Sequence, residues 1–227
     1  MVQDNELQKR AGIKAVEYIQ EGMIIGLGTA STVYHTIVKL SEKVKEGLNI
    51  KAVSTSSSTT QLAQQLGISV IPFDKVDYID LTIDGADEVD GLLNGIKGGG
   101  GALLYEKLVA TASNKVIWVI DENKRVKSLG KFPLPIEVVP FAYHQVFNKL
   151  KGLKLNPVIR KDNGSYYITD GQHYIIDLSI QKIEDPYALE KMIKLIPGVV
   201  DTGLFLNIAD TIIIGRETTV EIVSRKC

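Results

Sequence analysis

The sequence has almost none of the residues that build disulfide frameworks and metal clusters. Its only cysteine is Cys227, so no disulfide can form within the chain and a cysteine-based metal cluster is excluded. The three histidines, His35, His144 and His173, lie far apart and lack the spacing of a zinc site. We therefore expect no metal site, and we expect each histidine to be an ordinary surface or core residue.

An excess of positive charge and a long apolar run are also missing. The formal net charge is -1, which leaves no basic surplus to neutralise a nucleic-acid backbone. No apolar run approaches the roughly 20 residues needed to cross a bilayer. The polar N-terminal segment has no signal-peptide core. We expect neither a nucleic-acid partner nor a membrane partner, and we expect the protein to be cytoplasmic.

Short apolar segments alternate with helical patterns in the first part of the chain. Strands are predicted at residues 23–28, 50–53, 69–73, 78–83 and 116–120, and helices at residues 4–21, 29–44, 61–66 and 103–112. The 227 residues are enough for one large domain, or for a domain with a smaller companion. The alternation predicts right-handed βαβ crossovers and an α/β fold with a mainly parallel sheet.

The pattern changes near Gly130. Residues 132–140 contain three of the seven prolines and cannot continue a helix. Beyond them we predict strands at residues 157–160, 166–169 and 174–178, a hairpin turn at Asp162-Asn-Gly164, and helices at residues 143–150 and 187–195, the second begun by Asp185-Pro186. These elements predict a small α+β domain at residues 131–207. A final strand at residues 211–214 is expected to return to the first sheet, so the larger domain covers residues 1–130 and 208–227.

A glycine-containing loop joins the first predicted strand to the next helix. In Gly26-Leu-Gly28-Thr29-Ala30-Ser31-Thr32 the glycines allow a tight turn, and the helix N-terminus offers free amides to an anion. The hydroxyls of Thr29, Ser31 and Thr32 can add hydrogen bonds, although such residues also serve as plain helix caps. No Gly-Lys-Ser/Thr follows and the third glycine of a dinucleotide fingerprint is absent, so a phosphate monoester fits best. Residues 54–60 are also rich in hydroxyls and favour a solvated turn with a helix cap, with support of a ligand as the alternative.

Ionisable residues and glycines are concentrated between residues 84 and 106. Asp84 and Asp87 bracket Gly85-Ala86 after a predicted strand, and Lys97 precedes four glycines at residues 98–101. The aspartates can cap turns, and we expect at least one of them to do so. Glycine loses much conformational freedom when it is ordered, which makes sense where backbone amides must approach a ligand. At the end of a buried strand, this combination predicts an active site for proton transfer on a small anion.

Glu106 is the candidate general base. Its neighbours three and four positions away in a helix, residues 102, 103, 109 and 110, are all apolar. A carboxylate on that face would be partly desolvated, and desolvation raises its pKa towards the range that suits a base. Lys107 has similarly apolar surroundings, so spacing alone leaves open which of the two residues faces inward. A Glu106 that merely lies at the solvent edge of an apolar helix is the alternative.

The chain resembles ribose-5-phosphate isomerase of the A type at segments that follow one another along nearly the whole sequence. They are Gly26-Leu-Gly-Thr-Ala-Ser-Thr32, Asp84-Gly-Ala-Asp-Glu88, Lys97-Gly-Gly-Gly100 with Glu106-Lys107, Asp121-Glu-Asn-Lys124, Gly130-Lys-Phe-Pro-Leu-Pro135, and Ile196-Pro-Gly-Val-Val200 with Gly203-Leu-Phe205. The aspartate, lysine-glycine and Phe-Pro-Leu-Pro segments together are highly specific. One position departs from the family pattern, because Ala30 stands where the family usually has glycine, and alanine would be strained there if the loop needs a positive φ.

The resemblance implies the reversible conversion of ribose 5-phosphate to ribulose 5-phosphate through an enediolate, without a metal or an organic cofactor. It implies a Rossmann-like domain, in which helices flank a mainly parallel sheet, and a smaller α+β domain of the ferredoxin-like type. It also implies a sugar phosphate as the small-molecule partner and assembly as a homodimer or homotetramer.

The resemblance also assigns roles to individual residues. Glu106 is expected to be the base that moves a proton between C1 and C2 of the sugar. Asp84, Asp87 and Lys97 are expected to surround the sugar oxygens, where they assist ring opening and the management of charge. The expected substrate-binding residues are Thr29, Ala30, Ser31, Thr32, Asp84, Gly85, Ala86, Asp87, Lys97, Gly98, Gly99, Gly100 and Lys124.

Two other functions are compatible with parts of the sequence. A non-catalytic sugar-phosphate sensor, such as the ligand domain of a transcription regulator, would need an attached DNA-reading module, and we expect none because there is no basic helix for one. A nucleotide-dependent oxidoreductase is opposed by the missing third glycine. It is also opposed by the serines and threonines that follow the second strand in place of a ribose-binding acid.

Overall fold

The computed structural model describes residues 2–29 and 31–225, with side chains from residue 6 onward. Ala30 and Cys227 lie outside the described residues, so the predictions made for them stay predictions. The chain divides into two compact units: the first contains Met1–Ala86, Tyr105–Arg125 and Asn207–Cys227, and the second contains Asp87–Leu104 and Val126–Leu206. The domain boundaries expected from the sequence likewise remain a prediction.

The described residues form helices and strands in alternation. The α-helices are α1 (Val2–Ala15), α2 (Ser31–Lys45), α3 (Ser57–Gln65), α4 (Leu103–Thr111), α5 (Tyr143–Gly152) and α6 (Pro186–Lys194). The strands are β1 (Ile24–Leu27), β2 (Lys51–Ser54), β3 (Leu81–Asp84), β4 (Glu88–Val89), β5 (Gly95–Ile96), β6 (Val116–Asp121), β7 (Leu134–Val138), β8 (Pro157–Ile159), β9 (Lys161–Asp162), β10 (Ser165–Tyr166), β11 (Tyr174–Leu178), β12 (Val199–Thr202), β13 (Leu204–Phe205), β14 (Thr211–Gly215) and β15 (Val220–Ser224). None of the helices in the described part of the chain has the length and hydropathy needed to span a bilayer.

The first unit contains a six-stranded sheet in the order β15-β14-β6-β3-β1-β2. Its strands are parallel from β14 to β2, and β15 runs antiparallel to β14 at the edge. The predicted α/β fold with a mainly parallel sheet is therefore confirmed, as is the return of the chain to this sheet through β14. The expectation that residues 211–214 form the last strand is wrong, because β15 follows them.

Apolar residues account for this sheet and for the helices that flank it. All residues of β6 are buried, which is typical of a parallel strand covered on both faces. Neighbouring residues of β2 enter different clusters: Ala52 packs with Ala11 of α1 and Val33 of α2, whereas Val53 packs with Val109 of α4. Side chains alternate between the two faces of a strand, so helices cover both faces of the sheet.

Several predicted elements of the first unit differ from the structure: the helix predicted at residues 4–21 ends at Ala15, and the strand predicted at residues 78–83 begins at Leu81. Residues 69–73 do not form a strand: Val70 makes a single bridge to Ala52, and Pro72, which has no N–H to donate, is followed by the 3₁₀ turn Phe73–Lys75. Helix α3 begins four residues before the predicted start at residue 61, because the Ser56 side chain caps it by accepting a hydrogen bond from the N–H of Thr59.

The second unit contains a four-stranded antiparallel sheet in the order β12-β7-β11-β8. Its elements follow one another as β7-α5-β8-β11-α6-β12, so the predicted ferredoxin-like α+β arrangement is confirmed. The predicted hairpin turn is present between β9 and β10, where Asn163 and Gly164 have φ values of 48° and 84°. Strand β7 lies within the proline-rich residues 132–140, where no strand was predicted. Of the strand predicted at residues 166–169, only Tyr166 belongs to a strand, β10.

A second, smaller sheet in this unit holds the segments on either side of Asp87 and Lys97. It has three strands in the order β13-β5-β4. Asp87 immediately precedes β4 and Lys97 immediately follows β5. The backbone of Lys97 is tied to the same sheet, because its N–H donates to the carbonyl of Gly203 at 2.9 Å.

Candidate active site

The predicted residues of the first unit lie at one edge of its sheet, at the carboxyl ends of the strands. β1 ends just before Gly28, and β3 ends at Asp84. Helix α4 ends at the opposite edge, because the N–H of Ile79, which precedes β3, donates to the carbonyl of Ala112 at 2.9 Å. The N-terminal part of α4, with Glu106, therefore lies at the same edge as Asp84. This is the edge at which open α/β sheets bind their ligands.

Asp84 orders the loop that follows β1. Its side chain is 1 % exposed, and its Oδ1 accepts hydrogen bonds from the N–H groups of Thr29 at 3.2 Å and Gly85 at 2.7 Å. A Cβ atom on Gly28 would lie 1.9 Å from this oxygen, so only glycine leaves room for the carboxylate. Asp84 thus has the turn-capping role that we expected of at least one aspartate, and it brings Thr29 and Gly85 together.

Replacing Gly28 by Ala is expected to displace the Asp84 carboxylate. The new Cβ cannot coexist with an oxygen at 1.9 Å, and overpacking of this kind destabilises by about 1–3 kcal/mol. Urea unfolding measures the loss of stability. Gly91→Ala is the matched control, since a Cβ there meets nothing within 4 Å. Equal unfolding midpoints in the two variants would contradict the prediction.

Hydroxyl groups from the end of β2 surround Thr29. Its Oγ1 lies 2.8 Å from Thr55 Oγ1, 2.7 Å from Ser56 Oγ and 3.1 Å from Thr59 Oγ1. Thr59 Oγ1 also donates to the carbonyl of Gly28 at 3.1 Å. The hydroxyl-rich residues 54–60 therefore provide the favoured helix cap through Ser56 and in addition support the loop after β1. The alternative, support of a ligand, stays a prediction.

The other described candidates of the first unit lie on the same edge. Ser31 and Thr32 form the first turn of α2, where Ser31 is exposed and Thr32 is buried. Lys124 lies in the 3₁₀ turn Glu122–Lys124, directly after β6. Asp121 begins that turn by accepting a hydrogen bond from the N–H of Asn123 at 3.0 Å. A helix N-terminus and a cation are thus both available to a phosphate.

Glu106 faces the interior of the first unit. It is 2 % exposed, whereas Lys107 is only half-buried. The helix approaches the sheet closely at Gly26, where a Cβ would lie 2.8 Å from Cγ1 of Val109. Because Val109 follows Glu106 by three residues, both lie on the same face of α4. The structure thus settles which of the two neighbours faces inward, and a carboxylate held out of water is suited to accept a proton.

In the second unit, Lys97 leads into the glycine loop, defined as residues 98–101. The lysine is 2 % exposed, and its Nζ lies 5.4 Å from the centroid of the Phe205 ring. Asp87 Oδ2 accepts a hydrogen bond from the N–H of Gly99 at 2.8 Å. The fold therefore places one of the candidate aspartates against the glycine loop and keeps a cation at the start of that loop.

Two residues that the sequence did not single out bind the carbonyl groups of the glycine loop. Arg160 Nη1 donates to the carbonyl of Gly98 at 2.7 Å and to that of Gly99 at 3.0 Å. The Tyr167 hydroxyl donates to the carbonyl of Gly100 at 3.0 Å. The glycine loop is therefore held by side chains, although its own residues have none.

Glu137 in β7 is a further ionisable group that the sequence did not single out. Its Oε1 accepts a hydrogen bond from Thr169 Oγ1 at 2.9 Å and lies 3.0 Å from His173 Nδ1. Its Oε2 is buried and has no hydrogen-bond partner among the described residues. Burial raises the pKa of Glu137, and hydrogen bonds from His173 and Thr169 act in the opposite direction.

We expect the raised pKa of Glu137 to reduce the free energy of unfolding as the pH rises. The unfolded glutamate loses its proton at a lower pH than the buried one, so between the two pKa values the unfolded state binds fewer protons and is favoured. This loss of stability is absent below the pKa of the unfolded glutamate and complete above the pKa of the folded one. Glu137→Gln cannot titrate and so does not show this loss. Between the two pKa values, wild type should therefore lose stability relative to the variant, by about 1.4 kcal/mol for each unit by which the folded pKa exceeds the unfolded one.

Urea unfolding of wild type and Glu137→Gln at a series of pH values tests this expectation. Glu184→Gln is the control, because the Glu184 side chain is 77 % exposed and pairs only at the surface with Lys182. A stability difference between wild type and Glu137→Gln that stays constant from acid to neutral pH would show that the buried carboxyl group titrates normally.

The chemistry available to these residues is that of acids, bases and hydrogen-bond donors. Within the described residues, no group of three or more His, Cys, Asp or Glu side chains is arranged to hold a metal ion. The first unit supplies a buried carboxylate and a helix N-terminus, and the second supplies a buried ammonium group and a glycine loop. A buried carboxylate is suited to remove a proton from carbon, and a cation with amide donors is suited to stabilise an oxyanion.

Comparison with known proteins shows the family. The sequence profile of the family described as ribose 5-phosphate isomerase A (phosphoriboisomerase A) matches residues 51–219. A ribose-5-phosphate isomerase A of Streptococcus pneumoniae (strain ATCC 700669 / Spain 23F-1) is 47 % identical over 221 residues, which are 97 % of this chain and 97 % of that protein. One of Bifidobacterium adolescentis is 50 % identical over 215 residues, which are 94 % of this chain and 93 % of that protein.

A solved structure agrees with these sequence relatives. A D-ribose-5-phosphate isomerase in complex with phospho-erythronic acid matches with a TM-score of 0.94 and 39 % identity, and the match covers 97 % of this chain and 98 % of that chain. Sequence and fold therefore indicate the same family over nearly the full length of the chain. The chain belongs to the ribose 5-phosphate isomerase A family.

Proposed function

We propose that the chain catalyses the reversible isomerisation of ribose 5-phosphate to ribulose 5-phosphate through an enediolate. The observation that carries this proposal is the membership of the family, with 47 % identity over 97 % of the chain to a relative of that name. The buried Glu106 at the carboxyl edge of the sheet supports the chemistry that such a reaction requires.

The reaction moves one proton between two carbons. In the open-chain aldose, Glu106 removes the proton from C2, and the electrons of that bond form the double bond of the enediolate. The carbonyl oxygen at C1 then carries negative charge, which Lys97 and the amides of the glycine loop stabilise. Glu106 returns the proton to C1, and the proton of the C2 hydroxyl is passed to the oxygen at C1, so that C2 becomes the ketone and C1 an alcohol. Atoms and electrons balance without a redox cofactor.

The remaining residues bind and orient the substrate in this proposal. Thr29, Ser31 and Thr32 bind the phosphate at the N-terminus of α2, and Lys124 adds a positive charge. Asp84 orders the loop after β1 through its hydrogen bonds to Thr29 and Gly85. Asp87, which is half-buried, is the aspartate that receives a sugar hydroxyl. Ala30, Gly85 and Ala86, together with Gly98, Gly99 and Gly100, contribute backbone contacts.

The proposal also covers the oligomeric state of the enzyme and its cellular compartment. We infer a homodimer or homotetramer with a sugar phosphate as its small-molecule substrate, acting in the cytoplasm. Size-exclusion chromatography with light scattering measures the subunit number directly. A monomer at assay concentration would overturn the inferred assembly and leave the activity to its own test.

An isomerase assay tests the activity. Ribose 5-phosphate is incubated with the protein, without nicotinamide and with an excess of chelator, and formation of the ketose is followed. We expect a rate proportional to the protein concentration, and deuterium from heavy water at C1 of the product. Calorimetric binding without turnover would favour the sugar-phosphate sensor, and a rate that appears only with nicotinamide would favour an oxidoreductase.

A further inference from the structure

We propose that Arg160, oriented by Asp177, is a positioning residue for this reaction, because it sets the direction of the Gly99 and Gly100 amides in the glycine loop. The inference rests on the proposed function, since it gives the Gly100 amide the task of stabilising the negative oxygen of the enediolate, while the Gly99 amide holds Asp87, the aspartate that receives a sugar hydroxyl. Arg160 acts through the backbone of the loop and lies on the carbonyl side of its peptide groups.

The guanidinium group of Arg160 connects Asp177 and the glycine loop through different edges of its plane. Its Nε donates to Asp177 Oδ2 at 2.9 Å and its Nη2 donates to Asp177 Oδ1, so the pair is bidentate. Its Nη1 donates to the carbonyls of Gly98 and Gly99. The Arg160 and Asp177 side chains are only 14 % and 20 % exposed, so water does not easily replace these bonds. Asp177 belongs to β11 at the centre of the antiparallel sheet, which gives the arginine a rigid base.

The geometry of the peptide group turns these carbonyl contacts into a direction for the amides. In a trans peptide the C=O and the following N–H point in opposite directions. The Gly98 carbonyl faces Arg160, so the Gly99 N–H points away from it, and the 2.8 Å hydrogen bond from this N–H to Asp87 shows where it points. The Gly99 carbonyl also faces Arg160, so the Gly100 N–H is directed away from the arginine as well.

The positive charge of Arg160 adds an electronic effect to the geometric one. A cation that is hydrogen-bonded to a carbonyl oxygen polarises the peptide group and strengthens its N–H as a donor. Arginine remains charged at every working pH, and its planar fork reaches an acid on one side and two carbonyls on the other. A lysine has one donor nitrogen and cannot replace these contacts. Arg160→Lys therefore keeps the charge but loses the geometry.

Tyr167 contributes to the same arrangement at the next peptide. Its hydroxyl donates to the carbonyl of Gly100, and a Cβ on Gly101 would lie 2.2 Å from that hydroxyl oxygen. Gly101 has a φ of 82°, which L side chains rarely adopt. The tyrosine and the arginine together account for the orientation of three successive carbonyls in a segment that has no side chains of its own.

Kinetics of Arg160→Lys, Asp177→Asn and Tyr167→Phe test the inference. A misdirected Gly100 amide weakens stabilisation of the oxyanion but leaves the phosphate-binding residues untouched. We therefore expect Arg160→Lys to lower kcat about tenfold or more with KM changed less than about threefold, and the other two variants to give smaller losses in kcat. Arg225→Met is the matched control, because Arg225 also donates to a backbone carbonyl, that of Ala209, in the first unit.

Inhibitor affinity separates positioning from a general structural effect. We expect phospho-erythronic acid, the ligand in the solved structure of a relative, to inhibit the enzyme, because its carboxylate carries negative charge as the oxyanion of the enediolate does. Its affinity should therefore fall in Arg160→Lys by the same factor as kcat/KM, whereas the affinity for inorganic phosphate should not change. A folded Arg160→Lys with normal kcat and normal inhibitor affinity overturns the inference. If that variant does not fold, normal values in both Asp177→Asn and Tyr167→Phe overturn it.

Amide exchange distinguishes this inference from the proposed function on which it rests. An inactive wild-type protein would refute the isomerase activity, whatever the variants do. Hydrogen exchange at the Gly99 N–H reports the loop directly, and we expect it to accelerate at least about fivefold in Arg160→Lys, because the bond to Asp87 is no longer maintained. An unchanged exchange rate at Gly99 refutes the positioning role even if the enzyme is an active isomerase.

Discussion

Replacing Glu106 by Gln is expected to lower kcat for ribose 5-phosphate by about 10³–10⁴-fold while the protein stays folded and binds its substrate. Glutamine has nearly the same shape as glutamate, but it cannot take the proton from C2. The side chain is 2 % exposed, so removing its charge relieves a desolvation cost and should not lower the free energy of unfolding. Steady-state kinetics, calorimetric binding and urea unfolding measure the three quantities.

The control for this variant is Glu42→Gln. Glu42 forms an exposed pair with Lys39 on α2, with an N–O distance of 2.6 Å, and exposed pairs of this kind contribute little. We expect its kinetics to match those of wild type. Exchange of the C2 proton with solvent, followed by NMR, should stop in Glu106→Gln together with turnover. A kcat within about tenfold of wild type would assign the proton to another group.

Much of the fold could be predicted because its strands are short, apolar and separated by helical patterns. Strand β6 and helix α4 were expected almost at their observed bounds, since a run of buried apolar residues and a helical apolar face are both local signals. Residues 69–73 carried a similar apolar signal, and there the prediction was wrong. Pro72 cannot donate to a sheet ladder, and the pairing of Val70 ends after one bridge.

The candidate site was only partly predictable, because some of its contacts are remote in sequence. Spacing could not choose between Glu106 and Lys107, and the choice depends on Gly26, a residue of another element, against which Val109 packs. Arg160 contacts the carbonyl of Gly98 across 62 residues, and Tyr167 contacts that of Gly100 across 67 residues. No local pattern marks such pairs, since each is created by the folding of the second unit.

Replacing Lys97 by Met is expected to lower kcat by about 10²–10³-fold and to raise KM, because the variant removes the cation from the reacting oxygens. Methionine has a similar length and suits a buried position, and kcat is measured per folded molecule, so the loss does not come from unfolding. The lysine is 2 % exposed and lies beside the Phe205 ring, at 5.4 Å from Nζ to the ring centroid. A buried cation is expensive to maintain, and catalysis is the reason that we assign to it.

Lys97→Met is expected to lower kcat without lowering the free energy of unfolding. This combination distinguishes a catalytic cation from a structural one. If Lys97 served only the fold, Lys97→Met would lower the free energy of unfolding and leave kcat per folded molecule unchanged. If it stabilises the enediolate, the variant keeps its unfolding midpoint, loses turnover and has a higher KM for ribose 5-phosphate. Lys43→Met, which breaks an exposed pair with Glu46, should change none of the three quantities. Unchanged kinetics in Lys97→Met would remove the lysine from the reaction and leave the amides of the glycine loop to stabilise the oxyanion.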